Sequence, residues 1–127
     1  MDGGQDSGEA ALRAAGEAYC IALQDADIGV LEALFHENCH LYALGAEGLV
    51  DWPRERFLDR VRERGSAGER MAFRVLSAET SGPAMGRVHL EVAVPGRYFV
   101  DYLDFLKFDD GWRVIAKVFR VAEGPAV

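Results

Sequence analysis

Apolar and polar residues alternate with a period of two from Tyr98 to Arg120, YFVDYLDFLKFDDGWRVIAKVFR, which predicts two long β-strands joined by a tight turn. From Val100 the even positions are Val, Tyr, Asp, Leu and Phe; from Phe99 the odd ones are Phe, Asp, Leu, Phe and Lys, so neither face is simply polar. A sheet apolar on both faces needs two covers, helices on one side and a second subunit on the other. Upstream the period becomes helical. After a helix start near Asp6, Leu12, Ala15, Tyr19, Ala22, Leu23 and Ala26 share one face, which turns Tyr19 inward. A short helix follows Asp27, with Leu31, Leu34 and Phe35 inward. Cys39 to Leu44 and Leu49 to Trp52 read as a small hairpin around Gly45 to Gly48. Pro53 opens a third helix with a stripe of Phe57, Leu58 and Val61, ended by Gly65 to Gly68. Four strands follow from Arg70, punctuated by Gly82-Pro83, Pro95-Gly96 and Asp110-Gly111.

The length of the last turn decides which way Asp104 faces. A bare two-residue turn at Asp110-Gly111 sets Asp104 opposite Lys117 as an ordinary cross-strand ion pair. A three-residue loop of Asp109, Asp110 and Gly111 sets it opposite Ala116, inside a wall of Val100, Tyr102, Leu106, Phe108, Trp112, Val114 and Val118. The second register is preferred because it gathers the most apolar positions of both strands, while Arg113 and Lys117 turn outward beside Lys107 and Asp101. A three-residue loop at Pro95-Gly96-Arg97 adds Val88, Leu90, Val92 and Val94 to the same face. A carboxyl in such a wall stays protonated near neutral pH and donates a hydrogen bond.

A chain of 127 residues, half of them apolar, makes one domain with a real core. Residues 1–7 read as a disordered leader, 8–121 as the domain and 122–127 as a loose tail. The net charge of −7 argues against nucleic acid and anionic membrane as partners. The arginines of Arg54 to Arg64 alternate with acids at helical spacing, as on a solvated face. Without a long apolar run or a signal-like start, a cytoplasmic protein is expected. Cys20 and Cys39 are too few for a disulfide framework and are expected to be reduced.

Helix, helix, short hairpin, helix and a four-stranded meander resemble the nuclear transport factor 2-like fold. The resemblance rests most on AYCIALQDADIGVLEALFHENCHLYAL and DYLDFLKFDDGWRVIAKVF, the latter similar to the lumazine-binding subgroup. It implies an α+β, cone-shaped fold, with N-terminal helices packed on a curved antiparallel sheet around a deep pocket. The superfamily includes ketosteroid isomerase, SnoaL-like cyclases, dehydratases and noncatalytic binding domains, so fold alone does not choose a function. In the resemblance to ketosteroid isomerase, Tyr19 matches the helix-one oxyanion donor. Asp104 matches the protonated acid in the preferred register, and Leu103 matches it if no gap is allowed. Ala43 stands where that enzyme has its general base, which argues against steroid isomerisation by that mechanism.

Tyr19 and Asp104 are thus candidate oxyanion donors, with His36 a candidate base at the rim. They would polarise a carbonyl for proton transfer, cyclisation or dehydration, or only hold a ligand. The expected pocket wall is Cys39, Leu41, Ala43, Phe73, Val75, Val88, Leu90, Tyr102 and Trp112, suited to a small apolar or aromatic ligand without a cofactor. Phe99, Leu103, Phe105, Ile115 and Phe119 are expected on the outer face, at a homodimer interface. His36-Glu37-Asn38-Cys39-His40 matches the zinc-hydrolase pattern H-E-x-x-H, which needs one unbroken helix. The helical pattern ends near Phe35 and His40 begins an alternating strand, so the imidazoles diverge and no metal is expected.

Overall fold

The computed structural model describes residues 3–127, with side chains from residue 8 onward. Helix α1 spans Gly3–Asp25, so it begins inside the stretch read as a leader, whose first two residues lie outside the described ones. Leu12, Tyr19, Ala22 and Leu23 are buried along it as the helical period predicted, Ala15 and Ala26 are partly buried, and Cys20, outside that stripe, is buried as well. Helix α2, Ile28–Leu34, starts where the Asp27 carboxylate accepts from the Val30 amide at 3.2 Å, an N-cap. Strands β1, Phe35–Gly45, and β2, Gly48–Pro53, form the small hairpin. Helix α3, Arg54–Arg64, buries Phe57, Leu58 and Val61. It ends at Gly65, whose φ of 76° suits glycine. Strands β3 (Phe73–Ser81), β4 (Met85–Val94), β5 (Arg97–Phe108) and β6 (Gly111–Glu123) complete the chain.

The six strands lie in the order β2-β1-β6-β5-β4-β3. Only β1 and β6 run parallel, so the sheet is mixed where an antiparallel one was expected. Helix α1 lies on β3 and β4, and α3 on β1 and β2, so all three helices cover one face. Two glycines set the α1 approach. A Cβ on Gly16 would lie 2.9 Å from Val88 Cγ1, and one on Gly86 would meet the Leu12 side chain.

Both late turns are one residue shorter than expected, and that reverses β5. Val94 pairs with Arg97 across Pro95-Gly96, and Phe108 with Gly111 across Asp109-Asp110. A one-residue change in register sends every side chain of a strand to the other face. Phe99, Asp101, Leu103 and Phe105 therefore face the helices, while Val100, Tyr102, Asp104 and Leu106 face outward. In β6 an irregularity at Ile115 separates the Phe105–Val114 pair from Asp104–Ala116. Trp112 and Val114 thus pack inward as expected, but beyond this bulge the parity switches, and Lys117 and Phe119 are buried instead of Ala116 and Val118.

These placements correct the expected interface. Leu103, Phe105 and Phe119 are buried in the core, Phe99 packs against it, and Ile115 is half-buried at the bulge. The tail read as loose is tied down: Arg97 donates from Nε to the Pro125 carbonyl at 2.8 Å and from Nη2 to that of Ala126 at 3.2 Å. No helix among the described residues is long and apolar enough to cross a membrane.

Candidate functional site

Three elements deliver one buried polar cluster. From α1 comes Tyr19, from β5 Asp101 and from β6 Lys117, each buried. The Tyr19 hydroxyl donates to Asp101 Oδ2 at 2.8 Å and accepts from Lys117 Nζ at 2.6 Å. Lys117 Nζ stands 3.5 Å from the same carboxylate oxygen, and Asp101 Oδ1 has no partner among the described residues. Burial dominates the chemistry of all three. It raises the Asp101 pKa against the pull of Lys117, lowers that of Lys117 against the pull of Asp101, and raises that of the Tyr19 phenol. Neutral amine and neutral acid are thereby brought closer in free energy to the ammonium–carboxylate pair.

Aromatic faces surround the nitrogen. Lys117 Nζ lies 4.7 Å from the ring centre of Phe119, 4.9 Å from Phe57, 5.1 Å from Tyr19 and 5.9 Å from Phe99. Phe57, Phe99 and Phe119 also line a cavity of about 350 Å³, together with Trp52, Leu23, Val61 and Val94. Lys117 is therefore in its wall, on the aromatic side. Arg60, Glu63, Arg64, Pro95, Arg97 and Val127 complete the lining. Arg60 stacks over Trp52 at 5.2 Å, and Arg64 donates to the Leu23 carbonyl at the end of α1. Gln24, fully buried beside them, donates to the Ala93 carbonyl and accepts from the Met71 amide, which ties α1 to β4 and to the segment that leads into β3.

The expected site residues separate into three groups. Tyr19 is inward, but its single proton is committed to Asp101 and it does not line the cavity. Asp104 does pair with Ala116, yet the pair points outward, and Arg87 holds the carboxylate at 2.6 and 3.2 Å on the solvent side. This overturns its reading as a protonated acid in an apolar wall. Tyr102 is likewise exposed, stacked on His89. Cys39, Leu41, Ala43, Val88 and Leu90 are buried, and Phe73, Val75 and Trp112 pack beside them, but none of these lines the cavity. Their side chains fill the middle of the sheet, and this cavity lies at the end formed by α3 and the β4–β5 turn.

The His36 ring stacks on Phe108 at 4.8 Å and its Nδ1 accepts from the Asn38 amide, away from the cavity. His40 sits on the opposite face of β1 from Cys39, with Nδ1 2.6 Å from Asp51. The whole segment is extended, so the H-E-x-x-H residues do not form a helical ligand pair. Sequence reasoning missed Lys117 and Asp101, placing both outside. The available signal was the pair itself, an acid and a base each alone among aromatic and aliphatic neighbours on its strand.

Residues 7–120 match the family described as "Putative lumazine-binding". The chain belongs to that family. Among solved structures, an NTF-2 like protein of unknown function from Silicibacter pomeroyi DSS-3 is 26% identical, with a TM-score of 0.82 over 88% of this chain and 93% of that one. A protein of unknown function of the DUF3225 family, from Pectobacterium atrosepticum SCRI1043, is 25% identical with a TM-score of 0.73, covering 94% of both chains. A ketosteroid isomerase-like protein from Erwinia carotovora atroseptica SCRI1043 shares the fold at 16% identity and a TM-score of 0.70, covering 91% of this chain and 96% of that one. No curated protein matches. The family's fold is thus the α+β cone of the nuclear transport factor 2-like superfamily, here with three helices on a six-stranded mixed sheet.

Proposed function

We propose that the cavity binds a small, flat, aromatic or apolar ligand whose carbonyl or phenolate oxygen meets Lys117. One observation carries this reading: an amine in the wall of a cavity lined by Trp52, Phe57, Phe99 and Phe119. An ammonium has three donors, and among the described residues only Tyr19 and Asp101 are polar partners of this one, which leaves a donor for a ligand. The volume of about 350 Å³ is within the range of small-molecule sites. The family's name adds a ligand class, since a lumazine is a flat bicyclic heteroaromatic with carbonyl oxygens.

Binding is favoured over proton-transfer catalysis by the Tyr19 and Asp104 donors, because Asp104 lies outside and Tyr19 donates to Asp101. The test is titration with lumazine and a graded series of naphthols and nitrophenols, followed by absorbance across pH. Saturable binding with a lowered bound-phenol pKa, unaltered in Asp104→Asn and weakened in Lys117→Met, is expected. Absence of binding across the series overturns the reading. A homodimer through the outer sheet face completes the proposal, now with Tyr102, Leu106 and Val118 as its exposed apolar side chains.

A further inference from the structure

We propose that Lys117 is a nucleophilic amine that condenses with the carbonyl group of an aromatic aldehyde held in the cavity, forming an imine. The inference rests on the reading of the cavity as a ligand site and adds covalent chemistry to it. Twelve of the fourteen basic residues are arginine, which holds its proton under all ordinary conditions. The one basic side chain buried in the core is a lysine, the type that can give its proton up. A surface amine is protonated and has no free lone pair. Here the nitrogen is buried away from water, and loss of hydration disfavours its charge.

The neighbouring groups supply a path for the proton. Lys117 Nζ passes a proton to the Tyr19 oxygen across 2.6 Å while the phenol passes its own to Asp101 across 2.8 Å, leaving amine, phenol and carboxylic acid. Net charge is unchanged. The amine lone pair then attacks the carbonyl carbon, and the C=O π pair moves to oxygen, which takes a proton from nitrogen and becomes hydroxyl. Loss of that hydroxyl with the second nitrogen proton releases water and leaves C=N. The imine can take the Asp101 proton back through Tyr19, which pairs an iminium cation with the carboxylate. No electrons are exchanged with any oxidant or reductant. The acid proton sits on Asp101 Oδ2, the oxygen that faces the Tyr19 hydroxyl, while Oδ1, buried without a partner among the described residues, is free to accept from released water.

The sequence provides an internal control, because its one other lysine, Lys107, is exposed on β5. Whole protein is incubated with 2-naphthaldehyde and cyanoborohydride at neutral pH, and adducts are mapped by peptide mass spectrometry. Binding of 2-naphthol, which cannot form an imine, is measured in parallel by fluorescence. The expected result is a reduced adduct on Lys117 formed at least about tenfold faster than on Lys107. Prior unfolding should erase the preference. Tyr19→Phe, which keeps both lysines, should slow labelling of Lys117 and leave Lys107 unchanged; Lys117→Met should abolish the selective adduct. If 2-naphthol binds but the two lysines label alike, imine formation is wrong and the binding site stands. Failure of both naphthalenes to bind overturns the site and the imine together.

Discussion

Lys117 and Asp101, adjacent on neighbouring strands of one sheet face, meet 3.5 Å apart through the hydroxyl of Tyr19, with 4% and 0% of their side chains exposed. An ion pair this deep owes its place to both partners. Removing one leaves the other as an uncompensated buried charge, whereas an apolar replacement of both is often neutral.

Asp101→Leu and Lys117→Met should each lower the unfolding free energy by about 3–5 kcal/mol, and the double substitution by much less than their sum. Urea unfolding of the four proteins checks this. Additive losses would mean that the two groups do not interact.

The same pair fixes a sign for pH. With the Asp101 pKa raised, the native state binds more protons than the unfolded one above the ordinary aspartate value of about 4, so stability falls as pH rises toward the native pKa. With the Lys117 pKa lowered, the native state binds fewer protons between its native value and the ordinary lysine value of about 10.4, so stability rises with pH there. The difference in stability between wild type and the double variant should therefore pass through a minimum between the two windows. A maximum there would reverse both assignments.

Burial raises the Cys20 thiol to about 12 and the Cys39 thiol to about 11, and neither side chain is open to solvent. Both should resist a disulfide reagent in native protein at pH 8 and react fully in guanidinium. Rapid native labelling of either would place it outside the core.

On the outer face, Asp104→Asn should change stability by less than about 1 kcal/mol, because an exposed ion pair with Arg87 contributes little. Thermal unfolding in low and high salt measures it. By contrast Gly86→Ala should cost about 1–3 kcal/mol, since the new methyl meets Leu12 and lies 3.0 Å from the Glu79 carbonyl oxygen. A neutral outcome at Gly86 would show that α1 can move off β4 freely.

For the homodimer, Val118→Asp is the informative change, because Val118 is exposed beside Tyr102 on paired strands. Wild type should sediment as a dimer and the variant as a monomer. A monomeric wild type at micromolar concentration ends the proposal.

The order of elements was legible because each carries its own local signal. Five helical turns of α1 repeat one stripe, so Tyr19 is inward whatever else folds around it; Asp27, Gly65 and Pro95-Gly96 punctuate at the positions where the structure turns. The direction of Asp104 was not legible. Where both faces of a strand are apolar, alternation identifies a strand without saying which face is inside, and one residue of turn length reverses the answer. The bulge at Ile115 then changes parity again within β6, and no local pattern marks it. Packing decides both: Leu103 and Phe105 fill the core, while Tyr102 and Asp104 stay on the outer face. Sequence by itself determined the elements, their order and the inward tyrosine. Only the tertiary structure brought Asp101 and Lys117 to that tyrosine, because their encounter depends on registers set by the whole sheet and not by either strand.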